Sequence, residues 1–380
     1  MYEQIKNAKR IVIKFGTNVL TNNAGNLALS RIYAFIEDIA QLKQQGKEII
    51  IITSGAVGLG AKKLKLNEMP NLVSIKQACA AVGQSKLMYF YEESFDKFDI
   101  ITAQILLTED DFSIREKYLS LNDTLNRLLE LDVIPIINQN DTVSINEIRC
   151  YKDQETKVCF GDNDKLSALV TSELGADLLI ILSDIDGLFD KDPRKSDDAK
   201  LIKEVAEITP EIEALGFEAS KKGRGGMKTK LEAAKVVSRS GGCTIITNGK
   251  KPSAIANVFT ENFIGTIFLP TDSLSGKKRW IAYATNITGA LIVNDGAKKA
   301  LTEKFSGLLP AGIIEIKNDF YRSDVVSIMD KDNNEIAKGI VNYSSEECKK
   351  LVGKHSDDIE KILGYKNYDN IIGRDNIVLL

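Results

Sequence analysis

Histidine is nearly missing from this chain: one residue, His355, in 380. The first two-thirds therefore contain no imidazole base, which removes a Ser-His-Asp triad from consideration there. Cysteine is sparse too. Cys79, Cys150, Cys159, Cys243 and Cys348 are odd in number and scattered, which argues against a disulfide framework. Cys150 and Cys159 flank a polar stretch, but they have neither CxxC spacing nor a neighbouring histidine, as a zinc site would want. Apolar runs stay below the roughly 18 residues that a membrane helix needs. The first ten residues are polar and lead into a short strand, not into a signal-peptide core, so a cytoplasmic protein is expected. Excess charge is lacking as well. A net charge of -3 speaks against binding nucleic acid through bulk basicity.

What is present is enough for a large core. Hydrophobic residues make up 43% of the chain, and the length suggests two or three domains. Apolar runs at 11–15, 48–53, 100–107, 133–138, 178–183 and 243–247 alternate with helical patterns. Several are continuous, as expected of parallel strands covered on both faces. Between the first two, Ile32, Phe35, Ile36, Ile39 and Leu42 share one helical face, with Ser30 as an expected N-cap and Gly46 past the end. The predicted class is α/β, a mostly parallel sheet sandwiched by helices, over residues 1–258. Residues 259–279 read as a linker. Beyond 280, short strands at 289–293, 313–316, 325–329 and 335–341 are separated by Asn/Asp/Gly turns, predicting a small β-rich domain to residue 380.

Chemistry concentrates at strand ends. Lys14-Phe-Gly-Thr-Asn18 follows the first strand and could aim a cation and backbone amides at phosphate; alone, it equally suits a strand closing on a turn glycine. Gly55 and Gly60 have P-loop separation, but Ala61 stands where the P-loop lysine belongs. What remains is a Gly-rich helix start, with Ser54 and nearby amides able to hold a carboxylate or to form a tight turn. Asn138-Gln-Asn-Asp-Thr142 closes another strand, where open α/β sheets place ligands. Asp141 there could receive an ammonium group or make an Asx turn. In Gly161-Asp-Asn-Asp164, Asp162 and Asp164 flank Asn163; an N-cap uses one carboxylate, and the surplus suits lysines or an amine. Ser183-Asp-Ile-Asp-Gly-Leu-Phe-Asp-Lys-Asp-Pro-Arg194 offers acids and a hydroxyl to a ribose or base. Gly223-Arg-Gly-Gly-Met-Lys-Thr-Lys230 offers amides and cations to a triphosphate.

The set KFGTNVLT, ITSGAVGLG, INQND, FGDND, DGLFDKDPR and GRGGMKTKLEAA resembles the amino acid kinase family, and within it the branch that phosphorylates glutamate. The tail, with GALIVNDGAKKAL and GKHSDDIEKILGY, resembles the PUA domain that follows the kinase domain in that branch. The resemblance implies that Lys14 and Lys230 stabilise the transferring phosphoryl group while Asp164 holds both. It implies that Ser54, Asp141 and Asn163 bind L-glutamate. It further implies that Lys14, Ser183, Asp184 and the loop Arg224, Gly225, Gly226, Met227, Lys228, Thr229 and Lys230 bind ATP, with Mg²⁺ accompanying the nucleotide and no separate protein metal site. Glutamyl 5-phosphate, the first intermediate toward proline, is the implied product, proline the implied feedback inhibitor, and a homo-oligomer the expected assembly. A different small acid as acceptor is the alternative within the fold.

Two features depart from the family pattern. Arg224 stands where a threonine is usual, and residues 149–160 form a longer connection than usual beside the expected glutamate pocket. RNA binding, a role PUA-like domains suggest, gains little support: from residue 276 on, 16 Lys and Arg face 15 Asp and Glu.

Overall fold

The computed structural model describes the chain except residues 1, 23–24, 67, 69, 71, 145–162, 217–225, 262, 272–273 and 380. It divides into two compact units, one reaching to Leu274 and one from Ser275 onward. Among the described residues no helix is long and apolar enough to cross a membrane.

The first unit is built on an eight-stranded sheet. Its strands are β1 (Arg10–Phe15), β2 (Glu48–Ile52), β3 (Thr102–Leu107), β4 (Ile134–Gln139), β5 (Leu178–Ser183), β6 (Glu204–Val205), β7 (Cys243–Asn248) and β8 (Gly265–Phe268). The order is β3-β4-β2-β1-β5-β7-β8-β6, and every pairing is parallel except β7 with β8. Apolar runs such as Ile49–Ile52 and Leu178–Leu182 are fully buried, the signature of strands covered on both faces.

The helices that matter for the site are α1 (Leu29–Gln44), α2 (Ala56–Lys63), α3 (Val73–Asp96), α4 (Asn163–Glu173) and α5 (Met227–Ser238). In α1 the expected face, Ile32, Phe35, Ile36, Ile39 and Leu42, is buried. Ser30 is not its N-cap. The helix begins two residues earlier than that reading, with Ala28 at the cap position and Arg31 and Ile32 donating their amides to Ala28 O. The Ala28 amide is itself tied to Leu20 O at 2.9 Å, so backbone anchoring sets the start and no side-chain cap is used.

The second unit has a five-stranded sheet of β9 (Gly289–Val293), β10 (Ile313–Lys317), β11 (Val325–Met329), β12 (Glu335–Ile340) and β13 (Ile377–Leu379), in the order β10-β9-β11-β12-β13. Helices Asp295–Lys304 and Ser345–Leu351 accompany it, and a core around Leu291, Phe320, Val326, Ile328, Tyr343 and Ile371 is its own. Ser344 caps the second helix with a full capping box to Glu347. The stretch read as a linker needs correction. Within it, β8 pairs with both β7 and β6, because Thr266-Ile-Phe268 is apolar enough to be buried in the first sheet.

Candidate active site

Parallel strands deliver their carboxyl ends to one edge of a sheet, where a crevice forms if neighbouring connections diverge. Here β1, β2, β4, β5 and β7 bring Lys14, Thr53–Ser54, Asn138–Asn140, Ser183 and Asn248 to that edge. Three polar clusters result.

The first is a buried ion triad. Asp164, in the first turn of α4, has no solvent exposure, and Lys14 and Lys230 are 5% and 6% exposed. Lys14 Nζ donates to Asp164 Oδ1 at 2.5 Å, Lys230 Nζ to Oδ2 at 2.9 Å, and Thr229 Oγ1 to Oδ2 at 2.9 Å. Thr229 is placed by its own helix start, since its hydroxyl also reaches Gly226 O at 3.0 Å. Burial pushes the Asp164 carboxyl up, but the charges of Lys14 and Lys230 and their hydrogen bonds outweigh it and hold the group far below the usual carboxylate range. Two lysines thus converge on one carboxylate in a site that water barely reaches. Charges buried in this way are costly unless they are paired.

The second cluster is a relay of amides. Asn163 Nδ2 donates to Thr53 O at 2.6 Å, to Asn138 Oδ1 at 3.0 Å and to Ser54 Oγ at 3.1 Å. Ser54 Oγ donates in turn to Phe15 O at 3.0 Å. Gly55 follows with φ of 97°, a left-handed turn that only glycine takes without strain, and it launches α2 directly from β2. Asp141 lies half-buried in the turn after β4, which is closed by Ser144 N donating to Asn140 O at 3.0 Å.

The third cluster surrounds the end of β5. Ser183 is buried and Asp184 exposed; Asn18 Nδ2 donates to Asp184 Oδ2 at 3.0 Å. Asp186 accepts from Asn248 Nδ2 at 2.9 Å and from Lys251 Nζ at 2.8 Å. Asp192 and Arg194 brace the rest of the loop by a two-pronged pair.

The structure therefore unites Lys14, Asp164, Lys230 and Thr229, and separately Ser54 with Asn163. Met227 is buried, Gly226 sits at the N-cap of α5, and Lys228 stays exposed. Arg224, Gly225, Asp162 and the long connection 149–160 lie outside the described residues. Sequence reasoning missed Thr53, Asn138 and Gln84 as members of the amide relay. For Thr53 and Asn138 the signal was a place at a strand's carboxyl end; for Gln84 there was none.

Residues 9–248 match the family model described as the amino acid kinase family. The chain belongs to the amino acid kinase family. Residues 289–363 match the PUA domain model, so the family's catalytic fold is followed here by a PUA domain. Among the family's curated members, the chain is 46% identical over 373 residues to the glutamate 5-kinase of Caldanaerobacter subterraneus subsp. tengcongensis, covering 98% of each. It is 44% identical over 378 residues to that of Geobacter sulfurreducens, covering 99% of each. Among solved structures it resembles carbamate kinase from Giardia lamblia bound to AMP-PNP, at 17% identity and a TM-score of 0.48, covering 70% of this chain and 100% of that one.

Proposed function

We propose that the chain transfers the γ-phosphoryl group of ATP to the γ-carboxylate of L-glutamate, giving glutamyl 5-phosphate, the first step toward proline. One observation carries the site assignment: a fully buried Asp164 clamps Lys14 and Lys230 together at the carboxyl edge of the sheet. Two ammonium groups held side by side suit a phosphoryl group passing between two anions. Glutamate kinases as relatives over nearly the full length supply the acceptor.

The lack of histidine in the first unit fits this chemistry. A glutamate γ-carboxylate has an unperturbed pKa near 4.3 and is already ionised at neutral pH. One of its oxygens attacks the γ-phosphorus as the bond to the ADP oxygen breaks, and no proton has to be removed. The obstacle is repulsion between acceptor and triphosphate. Lys14, Lys230 and the amides at the start of α5 offset it and hold the groups in line. Asp164 acts through the lysines, since its oxygens are already engaged by them and by Thr229. Mg²⁺ enters as part of the nucleotide substrate, bound mainly through phosphate oxygens and water as is usual for this ion. Ser54, Asn163 and Asp141 form the acceptor pocket, and Ser183, Asp184 and residues 224–230 the nucleotide side. Proline inhibition and self-association belong to the same reading.

The test is ATP- and glutamate-dependent formation of a hydroxamate from the trapped acyl phosphate, with aspartate and N-acetylglutamate as controls. Glutamate should be the preferred acceptor. Equal or greater turnover with N-acetylglutamate or UMP would overturn the proposal.

A further inference from the structure

Gln84 lies on α3 and is 7% exposed, and its Nε2 is a buried donor with no partner among the described residues. The amide relay dictates this orphan. At one end, Gln139 N–H, which can only donate, reaches Asn138 Oδ1 at 2.9 Å. At the other, Thr53 C=O, which can only accept, takes Asn163 Nδ2 at 2.6 Å. These two backbone groups fix which face of each asparagine amide is oxygen and which is nitrogen. Asn138 must then present Nδ2 to Gln84, at 3.0 Å, and Gln84 must answer with Oε1. Turning the Gln84 amide over would set two donors against each other. Its Nε2 is therefore committed to face elsewhere, and leaving a buried N–H unmade is costly.

The position of Gln84 is equally constrained. A Cβ on Gly83 would lie 1.8 Å from Ala56 O, and one on Gly60 would lie 1.7 Å from Cys79 O. Only glycine at both places lets α3 press backbone to backbone against α2, whose first residue follows the Ser54-Gly55 turn. From seven residues earlier on α3, Gln77 Nε2 reaches Ser144 O at 3.1 Å, at the end of the turn carrying Asp141. One face of α3 thus meets the end of β4 at Asn138 and the turn after it at Ser144, which fixes where Gln84 sits.

We infer that Gln84 is a specificity residue that donates its free Nε2–H to the α-carboxylate of the amino acid acceptor; this deepens the proposed glutamate reading and rests on it. The strand order supports the α end. Lys14 is on β1, and Asn138 on β4 lies two strands away, roughly 10 Å. That is the reach of an extended glutamate with a hydrogen bond at either end. The γ-carboxylate goes to the lysines, and the α-ammonium and α-carboxylate go to Asp141 and Gln84.

The experiment compares L-glutamate with 4-aminobutyrate, which is glutamate without its α-carboxylate, in wild type and Gln84→Met. Wild type should favour glutamate strongly. In Gln84→Met, kcat/KM for glutamate should fall about tenfold or more through KM. KM for ATP and kcat/KM for 4-aminobutyrate should stay within about twofold, so that discrimination collapses. Equal losses for both acceptors, or an unchanged ratio, would overturn the inference. Should Gln84→Met fail to fold, Gln84→Ser, which leaves room for water, decides on the same ratio. A wild-type enzyme without glutamate turnover removes the functional reading and this inference together, whereas a retained ratio with normal glutamate turnover removes only the inference.

Discussion

The two units handle charge in opposite ways. In the first, Lys14, Asp164 and Lys230 are buried together at the carboxyl edge of the sheet. In the second, ion pairs reach solvent: Arg322 with Glu347, Lys331 with Asp295, and Lys349 with Asp319, whose side chains are between 19% and 84% exposed. Solvated pairs of that kind add little stability and do no chemistry by themselves. A buried ion triad is a poor way to stabilise a fold, since apolar side chains of equal volume do as well or better. Among the described residues such a triad occurs in the first unit and not in the second.

The sharpest way to break this contrast is to remove one charge from each unit. Lys14→Ala or Lys230→Ala should lower turnover by about 10²–10³, the usual loss for one contact to a developing charge. Lys331→Ala in the second unit should leave turnover and melting temperature close to wild type. Steady-state kinetics on the three variants decide it. A lysine variant of the triad with near-wild-type turnover would take that residue out of the mechanism.

Acid sharpens the same contrast, with a smaller effect. The folded Asp164 carboxyl titrates below its unfolded value because of Lys14 and Lys230. Its contribution is therefore fully present above the unfolded pKa of about 3.9 and is lost as pH falls from there toward the folded value. Urea midpoints of the first unit should not reflect this group between pH 7 and 5, but should fall below about pH 4. Asp164→Asn, which removes the carboxylate shared by two buried lysines, should cost roughly 3–5 kcal/mol at neutral pH. It should also abolish this group's share of the acid dependence. An acid limb equally steep in wild type and Asp164→Asn would show that other carboxylates control it.

The sequence revealed these features unevenly. Apolar runs marked six of the eight strands of the first sheet and four strands of the second, because burial, or clean alternation between turns, leaves a pattern in composition. β6, β8 and β13 are two to four residues long, too short for any period to register. α3 escaped for another reason. It meets its neighbours through Cys79, Ala80, Gly83 and Gln84 as much as through Leu87 and Phe90, so no aliphatic stripe announces it. In the site, positions 14, 164 and 230 share no local pattern and were joined only by family resemblance. Gln84 was illegible because its role depends on which way three amides face, and that follows from a backbone N–H and a backbone C=O far apart in the chain.

The smallest expected effect tests the contrast as a whole. Every polar cluster of the site lies before Leu274, and the described second unit keeps its own sheet and core. A chain ending at Leu274 retains β8, the strand inside the stretch first read as a linker, and with it the antiparallel cover on β7. Ending the chain at residue 258 would instead strip that cover from the strand carrying Asn248 and leave β6 without its partner. The 1–274 fragment should therefore keep kcat and both KM values within about threefold of the full chain, with few core contacts expected across a domain boundary. The 1–258 fragment should lose stability through its uncovered sheet edge. Kinetics at saturating substrates, alongside thermal melts of both fragments, give the answer. A folded 1–274 fragment without activity would mean that the second unit completes the site or orders its loops, and the division of labour between solvated and buried charge would have to be abandoned.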